Sequence, residues 1–225
     1  MRSKPFNPIL GEQFHCKWVH QEQQSETVFH AEQVSHHPPI TAMHMENKKA
    51  GFEMSCTIGV NVSIGLNKCT SVTSGLNYIK LPQWSETYRF TRPNTVVSQL
   101  LLGTGYIRPA NYMTIVCEET GYSANLYVND TYISGKITCH GRTVYTIPSS
   151  ANYLQEVHMM NVVTGKTELL WSSSMHTEEL QESILVEPIS KQKANECRRV
   201  WHNVSQEIHA DNFSAATEAK LRIEE

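Results

Sequence analysis

Short alternations of apolar and polar residues fill the first three-quarters of the chain. Runs rich in Val, Ile, Thr, Tyr and Phe are separated by clusters of Gly, Asn, Pro and Ser. A period of two sends one face of each run toward a core and the other toward solvent, which is the mark of β-strands. The pattern predicts strands over residues 14–20, 27–32, 40–45, 52–60, 87–91, 113–117, 124–128, 132–140, 143–147, 154–163 and 168–171. Hairpin turns are expected at Glu119-Thr120-Gly121, Cys139-His140-Gly141 and Thr164-Gly165-Lys166. Close, even spacing favours antiparallel meanders over strand–helix–strand units.

After Pro188 the period changes. Ala194, Cys197, Val200, Trp201, Val204 and Ile208 recur three or four apart, which predicts an amphipathic helix over residues 191–210. Asp211-Asn212-Phe213-Ser214 supplies capping residues, and a second helix is expected from Ala215 past Glu225. The fold class is therefore mostly β with C-terminal helices. A sheet of many strands must protect its edges, and closure into a barrel does so. Alternation alone does not separate a ligand-filled barrel from a sandwich. Trp18, Phe52, Tyr88, Phe90 and Leu100–Leu102 are read as core.

Composition narrows the function classes. At 225 residues, with 40% hydrophobic content, one domain is the simplest reading. A net charge of −3 and a pI near 6.4 argue against a broad nucleic-acid footprint. An anionic ligand must then be held by a local cluster. No run reaches the roughly 20 apolar residues of a membrane-spanning helix. Six cysteines occur without a CxxC pair, and Met1-Arg2-Ser3-Lys4 opens without an apolar leader, so a reducing, cytoplasmic compartment is expected. The sequons at Asn61, Asn129, Asn203 and Asn212 carry no meaning there.

The candidate chemistry sits in Glu32-Gln33-Val34-Ser35-His36-His37-Pro38-Pro39-Ile40. Proline fixes its own φ and biases the preceding residue toward extended backbone. His36 and His37 are thus expected on a stiff, extended segment. Imidazoles donate hydrogen bonds and titrate near neutrality as a class, which suits a phosphate monoester. The bland alternative is a pair of surface histidines beside a proline-terminated strand. Zinc is a third reading, in which His15-Cys16 and His30 would complete a set. Adjacent histidines in extended chain converge poorly on one metal, so no metal and no cofactor are assigned. Gly103-Thr104-Gly105 lacks the third glycine of a nucleotide loop and reads as a bend. No GxSxG elbow supports a hydrolase.

The octapeptide EQVSHHPP at 32–39 resembles the signature of the oxysterol-binding protein-related domains. Two further stretches agree, in order. Lys4-Pro5-Phe6-Asn7-Pro8-Ile9-Leu10-Gly11-Glu12 resembles the family's KPxNPxLGE block, and residues 215–225 resemble its C-terminal helix. The resemblance implies an incompletely closed antiparallel barrel with a lipid tunnel, flanked by helices. It implies no catalysis and no cofactor. Its expected action is exchange of phosphatidylinositol 4-phosphate for a second lipid between membranes, peripheral to organelle surfaces.

The implied headgroup contacts are His36 and His37 on the phosphate, Lys4 and Lys220 as neutralising charges, Asn7 on the inositol ring and Glu224 orienting Lys220. Lys220 and Glu224 also have the spacing of an ordinary exposed helix pair. Thr120-Gly121-Tyr122-Ser123-Ala124-Asn125 resembles the subgroup linked to phosphatidylserine, and sterol is the other second lipid. In the family a lid precedes the Lys-Pro block, and an arginine would fall at position 228. The expectation is a single domain core over 1–225 without the lid and without the end of the C-terminal region. Two other classes follow: a phosphoinositide sensor that transfers nothing, and a histidine-dependent hydrolase.

Overall fold

Period-two alternation builds one antiparallel sheet. The computed structural model describes residues 6–99, 105–176 and 184–224. Among these, 15 strands join edge to edge. In chain order they are β1 (Gln13–His20), β2 (Ser25–Ser35), β3 (Ile40–Asn47), β4 (Phe52–Ile64), β5 (Lys68–Ser74), β6 (Asn77–Leu81), β7 (Glu86–Phe90), β8 (Asn94–Ser98), β9 (Tyr106–Cys117), β10 (Tyr122–Asn129), β11 (Tyr132–Cys139), β12 (Arg142–Ile147), β13 (Glu156–Asn161), β14 (Thr167–Ser172) and β15 (Ile184–Leu185).

The connections form a meander. β5 and β6 together run alongside β4, pairing with its second and first half respectively. β7 and β8 pair in the same divided way with β9. Each couple is one long strand with a break. The first break is at Gly75, where a Cβ would lie 2.0 Å from the Thr57 carbonyl oxygen, so only glycine fits. The path ends at β14 on one side and β15 on the other, and these are not paired with each other. The barrel is therefore incompletely closed.

The pleat separates two faces. Directly opposed residues share a face, so Cys16 leads to Phe29, Met45, Met54, Ile79, Tyr88 and Cys117 across seven strands. This wall is apolar, and most of it is only half-buried. The opposite face carries the charges: Lys17 pairs with Glu26 and Lys80 with Glu53, each at 3.0 Å, and Arg89 pairs with Glu118. Exposed pairs of this kind add little stability. They mark which side meets water. Trp18, Phe52, Tyr88 and Phe90 all fall on the apolar wall. Leu100–Leu102 lie outside the described residues, as do Gly103 and Thr104.

Close packing is confined to two clusters. Leu126, Ile147, Ala151 and Val157 fill one end of the sheet. Trp201, Val204 and Ala216 form the second, joined by Phe6, Ile9, Val200, Ala219 and Ile223.

The C-terminal region departs from expectation. Instead of one helix over 191–210, the chain forms α1 (Cys197–Val200) and α2 (His202–His209), which meet at Trp201. The reason is tertiary. The edge of β1 recruits the preceding segment, with the Gln13 N–H donating to the Asn195 carbonyl at 2.9 Å. Glu196 is left extended at φ −78, ψ 136, so helix begins only after it. α3 (Phe213–Glu224) matches the second predicted helix, with the Asn212 side chain accepting from the Ala215 N–H at 3.3 Å. The three expected turns occur where the pattern placed them. The six cysteines are free thiols.

Candidate functional site at the rim of the apolar wall

The end of β2 breaks register. Gln33 opposes Thr41 but Ser35 opposes Ile40, so Val34 is an extra residue bulged out of the ladder. His36 to Pro39 then reverse the chain in a turn, with the His37–Pro38 peptide cis. This corrects the expected extended segment. A cis X-Pro bond is a device of tight turns, and the antiparallel partner β3 begins at once at Ile40.

A buried amide holds this turn. Gln33 donates from Nε2 to the Ser35 carbonyl at 2.8 Å, and its Oε1 accepts from the Thr41 hydroxyl at 2.7 Å. Its main chain pairs with Gly11 and Glu12 at 2.8 and 2.9 Å. Gln33 thus ties the histidine turn to the N-terminal block. Sequence reasoning gave it no role, although it sits inside the octapeptide. Gln33→Ala is expected to leave the Thr41 hydroxyl and Ser35 carbonyl unpaired, costing about 1–3 kcal/mol. A lowered urea midpoint checks this. An unchanged midpoint contradicts it.

The block itself is wedged in place. The Ile9 N–H donates to the Glu12 carboxylate at 3.0 Å, and the Asn195 amide donates to the Gly11 carbonyl at 3.1 Å. Phe6 lies 5.5 Å from the Trp201 ring. From the other side, His36 Nδ1 lies 3.2 Å from the Pro8 carbonyl. A carbonyl only accepts, so Nδ1 carries the proton. Nε2 is then the atom left to meet a ligand, and it donates when the ring is an imidazolium. The His36 and His37 rings are 4.6 Å apart and nearly perpendicular.

α3 borders the same block. Its Ala216, Ala219 and Ile223 pack in the cluster that holds Phe6 and Ile9. Lys220 and Glu224 flank that stripe, 3.8 Å apart and half-buried. Asn7 is exposed, between Phe6, which packs in that cluster, and Pro8, whose carbonyl meets His36. The histidine turn touches this block at Pro8, and α3 packs on it through Ala219 and Ile223, the residues preceding Lys220 and Glu224. No direct hydrogen bond or ion pair joins the histidines to Lys220 among the described residues. Lys4 lies outside the described residues.

A second histidine group lies on the charged face. His15, His30 and His44 oppose one another across β1, β2 and β3. Burial, and then the charge of His15, push the His30 pKa down, while Glu32 pulls it up. Cys16 alternates to the apolar wall, so it cannot join His15 and His30 around a zinc ion. No group of three or more His, Cys, Asp or Glu is placed to hold a metal among the described residues. Nor is any described helix long and apolar enough to cross a membrane.

An incompletely closed antiparallel barrel with an apolar wall and a paired-histidine turn at the end of β2 defines the class. The profile described as Oxysterol-binding protein matches residues 1–225, and the chain belongs to that family. It is 31% identical to mouse (Mus musculus) oxysterol-binding protein-related protein 8, with 99% of this chain covering 26% of that one. In structure it is similar to the Osh1 ORD domain in complex with ergosterol: TM-score 0.73 at 18% identity, covering 97% of this chain and 59% of the other. It is also similar to the Osh3 ORD of Saccharomyces cerevisiae in complex with PI(4)P: TM-score 0.70 at 20% identity, covering 98% and 62%. The chain spans less than two-thirds of each of these proteins.

Proposed function

We propose that this chain binds phosphatidylinositol 4-phosphate and exchanges it for a second lipid, phosphatidylserine or a sterol, at cytoplasmic membrane surfaces. The observation that carries the reading is the histidine turn, pinned through Gln33 and Pro8 to the N-terminal block at the rim of an apolar wall. His36 and His37 would donate to the phosphate. Lys220, oriented by Glu224, would neutralise it, with Lys4 in the same role by family resemblance. Asn7 would meet the inositol ring. The acyl chains would lie against the Phe29–Met45–Met54–Ile79 wall, whose incomplete burial leaves room for them. Such extraction breaks no covalent bond and asks for no catalytic group. One solved neighbour of the same fold holds PI(4)P and another holds ergosterol, which supports both halves of the exchange.

Transfer between vesicles tests this. Donor vesicles carry phosphatidylinositol 4-phosphate, and acceptors carry phosphatidylserine or a sterol. The expected result is movement of the phosphoinositide to acceptors, accelerated by one of the two counter-lipids. Headgroup binding without transfer leaves a phosphoinositide sensor. Release of inorganic phosphate points to a hydrolase instead.

A further inference from the structure

The sheet does not stop at the level of the histidine turn. Ile40, the first residue after that turn, pairs with Gly59, and β4 then continues to Ile64. At about 3.3 Å per residue, the hairpin of β4 and β5 rises about 16 Å past the turn. β8 and β9 rise beside it, with Lys68 opposite Ser98 and Ser98 opposite Tyr106. The result is a four-stranded finger at the same end of the sheet as the histidines.

Two features of this finger are unusual for a surface. First, the register carries the apolar wall onto it. Met54 and Cys56 on the wall are followed at the same parity by Val60, Val62 and Ile64, with Val97 and Ile107 across the finger. Ile64 is 79% exposed, Leu66 at the tip 91%, and Ile107 67%. Second, acids are excluded. The chain has 22 acidic residues, yet only Glu86 falls between Met54 and Cys117. Glu86 lies at the opposite end of the sheet and accepts from the Tyr88 hydroxyl at 2.7 Å. The finger's own strands hold two basic residues, Lys68 and Arg108, and no acid, within a chain whose net charge is −3. An exposed apolar patch with basic groups and no acids fits the interface of an anionic bilayer.

We propose that this finger is the membrane-docking element, seating Ile64 and Leu66 among the acyl chains of an anionic leaflet with Lys68 at the headgroups. Docking in this sense turns the histidine rim toward the bilayer. The apolar strip from Ile64 down to Met54 then offers acyl chains a continuous path from leaflet to lumen. The inference rests on the lipid-exchange reading for its purpose, and its test is independent of the headgroup site.

Co-sedimentation uses vesicles of phosphatidylcholine alone, or with anionic phosphatidylglycerol, containing no phosphoinositide, phosphatidylserine or sterol. The wild-type chain is expected to partition onto the anionic vesicles at least about tenfold better than onto neutral ones, with loss in high salt. Ile64→Ser/Leu66→Ser should lower that partition about tenfold or more, because both side chains leave water only at the bilayer. Lys68→Glu should lower it several-fold, roughly as expected for a charge reversal at an anionic surface. Affinity for a soluble short-chain phosphoinositide should stay unchanged in all variants, which also shows that they fold. Equal sedimentation of wild type and the double variant overturns the proposal. So does a wild-type dimer in light scattering that the double variant abolishes, since the finger then serves a second copy of the chain. Failure of short-chain binding in the wild type counts against the headgroup reading alone.

Discussion

Alanine at both His36 and His37 is expected to lower phosphoinositide affinity by roughly a hundredfold or more while the fold survives. A charge-assisted hydrogen bond is worth about 1.5–3 kcal/mol, so two of them span about two to four decades. The stability cost is smaller. His37 is exposed and His36 half-buried, and the only described bond lost within the protein runs from His36 Nδ1 to the Pro8 carbonyl. That bond contributes about 1 kcal/mol. The turn keeps its prolines and its Gln33 staple. Titration with a short-chain phosphoinositide, beside urea unfolding of the same variant, separates the two effects. A folded double variant with wild-type affinity removes the histidines from the headgroup site.

Trp201→Ala has the largest expected effect on stability. The ring is buried to 4% exposure, and its Nε1 has no hydrogen-bond partner among the described residues. The loss is therefore packing, at about 3–5 kcal/mol for such a truncation. It is also local. Trp201 belongs to the cluster of Val204, Ala216, Phe6 and Ile9, whereas Leu126, Ile147, Ala151 and Val157 form a separate one. Freed helices take the footing from Lys220 and release the block that carries Asn7. The expected outcome is a helical signal lost at low urea, a β signal retained to higher urea, and weakened phosphoinositide binding. One cooperative transition at the wild-type midpoint contradicts this division.

Much of the sheet was legible because its strands alternate strongly. Phe14–Trp18 and Phe52–Ile58 show a clean apolar face. β5, with the sequence KCTSVTS, does not, since its inward positions include Ser and Thr on an exposed finger. β6 and β8 are five residues each and read as loop without their long neighbours β4 and β9. The helix over 191–210 was misjudged because periodicity cannot register that the β1 edge captures Asn195. The site shows the same division. The histidines and the N-terminal block stand out as a motif, but proline's bias toward extended backbone hides the turn that the pairing of β2 with β3 imposes at residues 36–39. Gln33 works through partners 8 residues on and some 20 back, Thr41 on one side and Gly11 and Glu12 on the other. No local pattern announces such a role.

The proposed histidine site is expected to recognise a phosphate on the inositol ring. Calorimetric titration of the wild-type chain with short-chain phosphatidylinositol 4-phosphate and with unphosphorylated phosphatidylinositol tests it most directly. Both ligands offer the same acyl chains, so the difference isolates the phosphate. Tighter binding of the phosphorylated lipid is expected, by roughly a hundredfold or more, from at least two charge-assisted contacts. Equal affinity for the two would contradict it, and would reassign the chain to a lipid-binding β protein that does not read the headgroup.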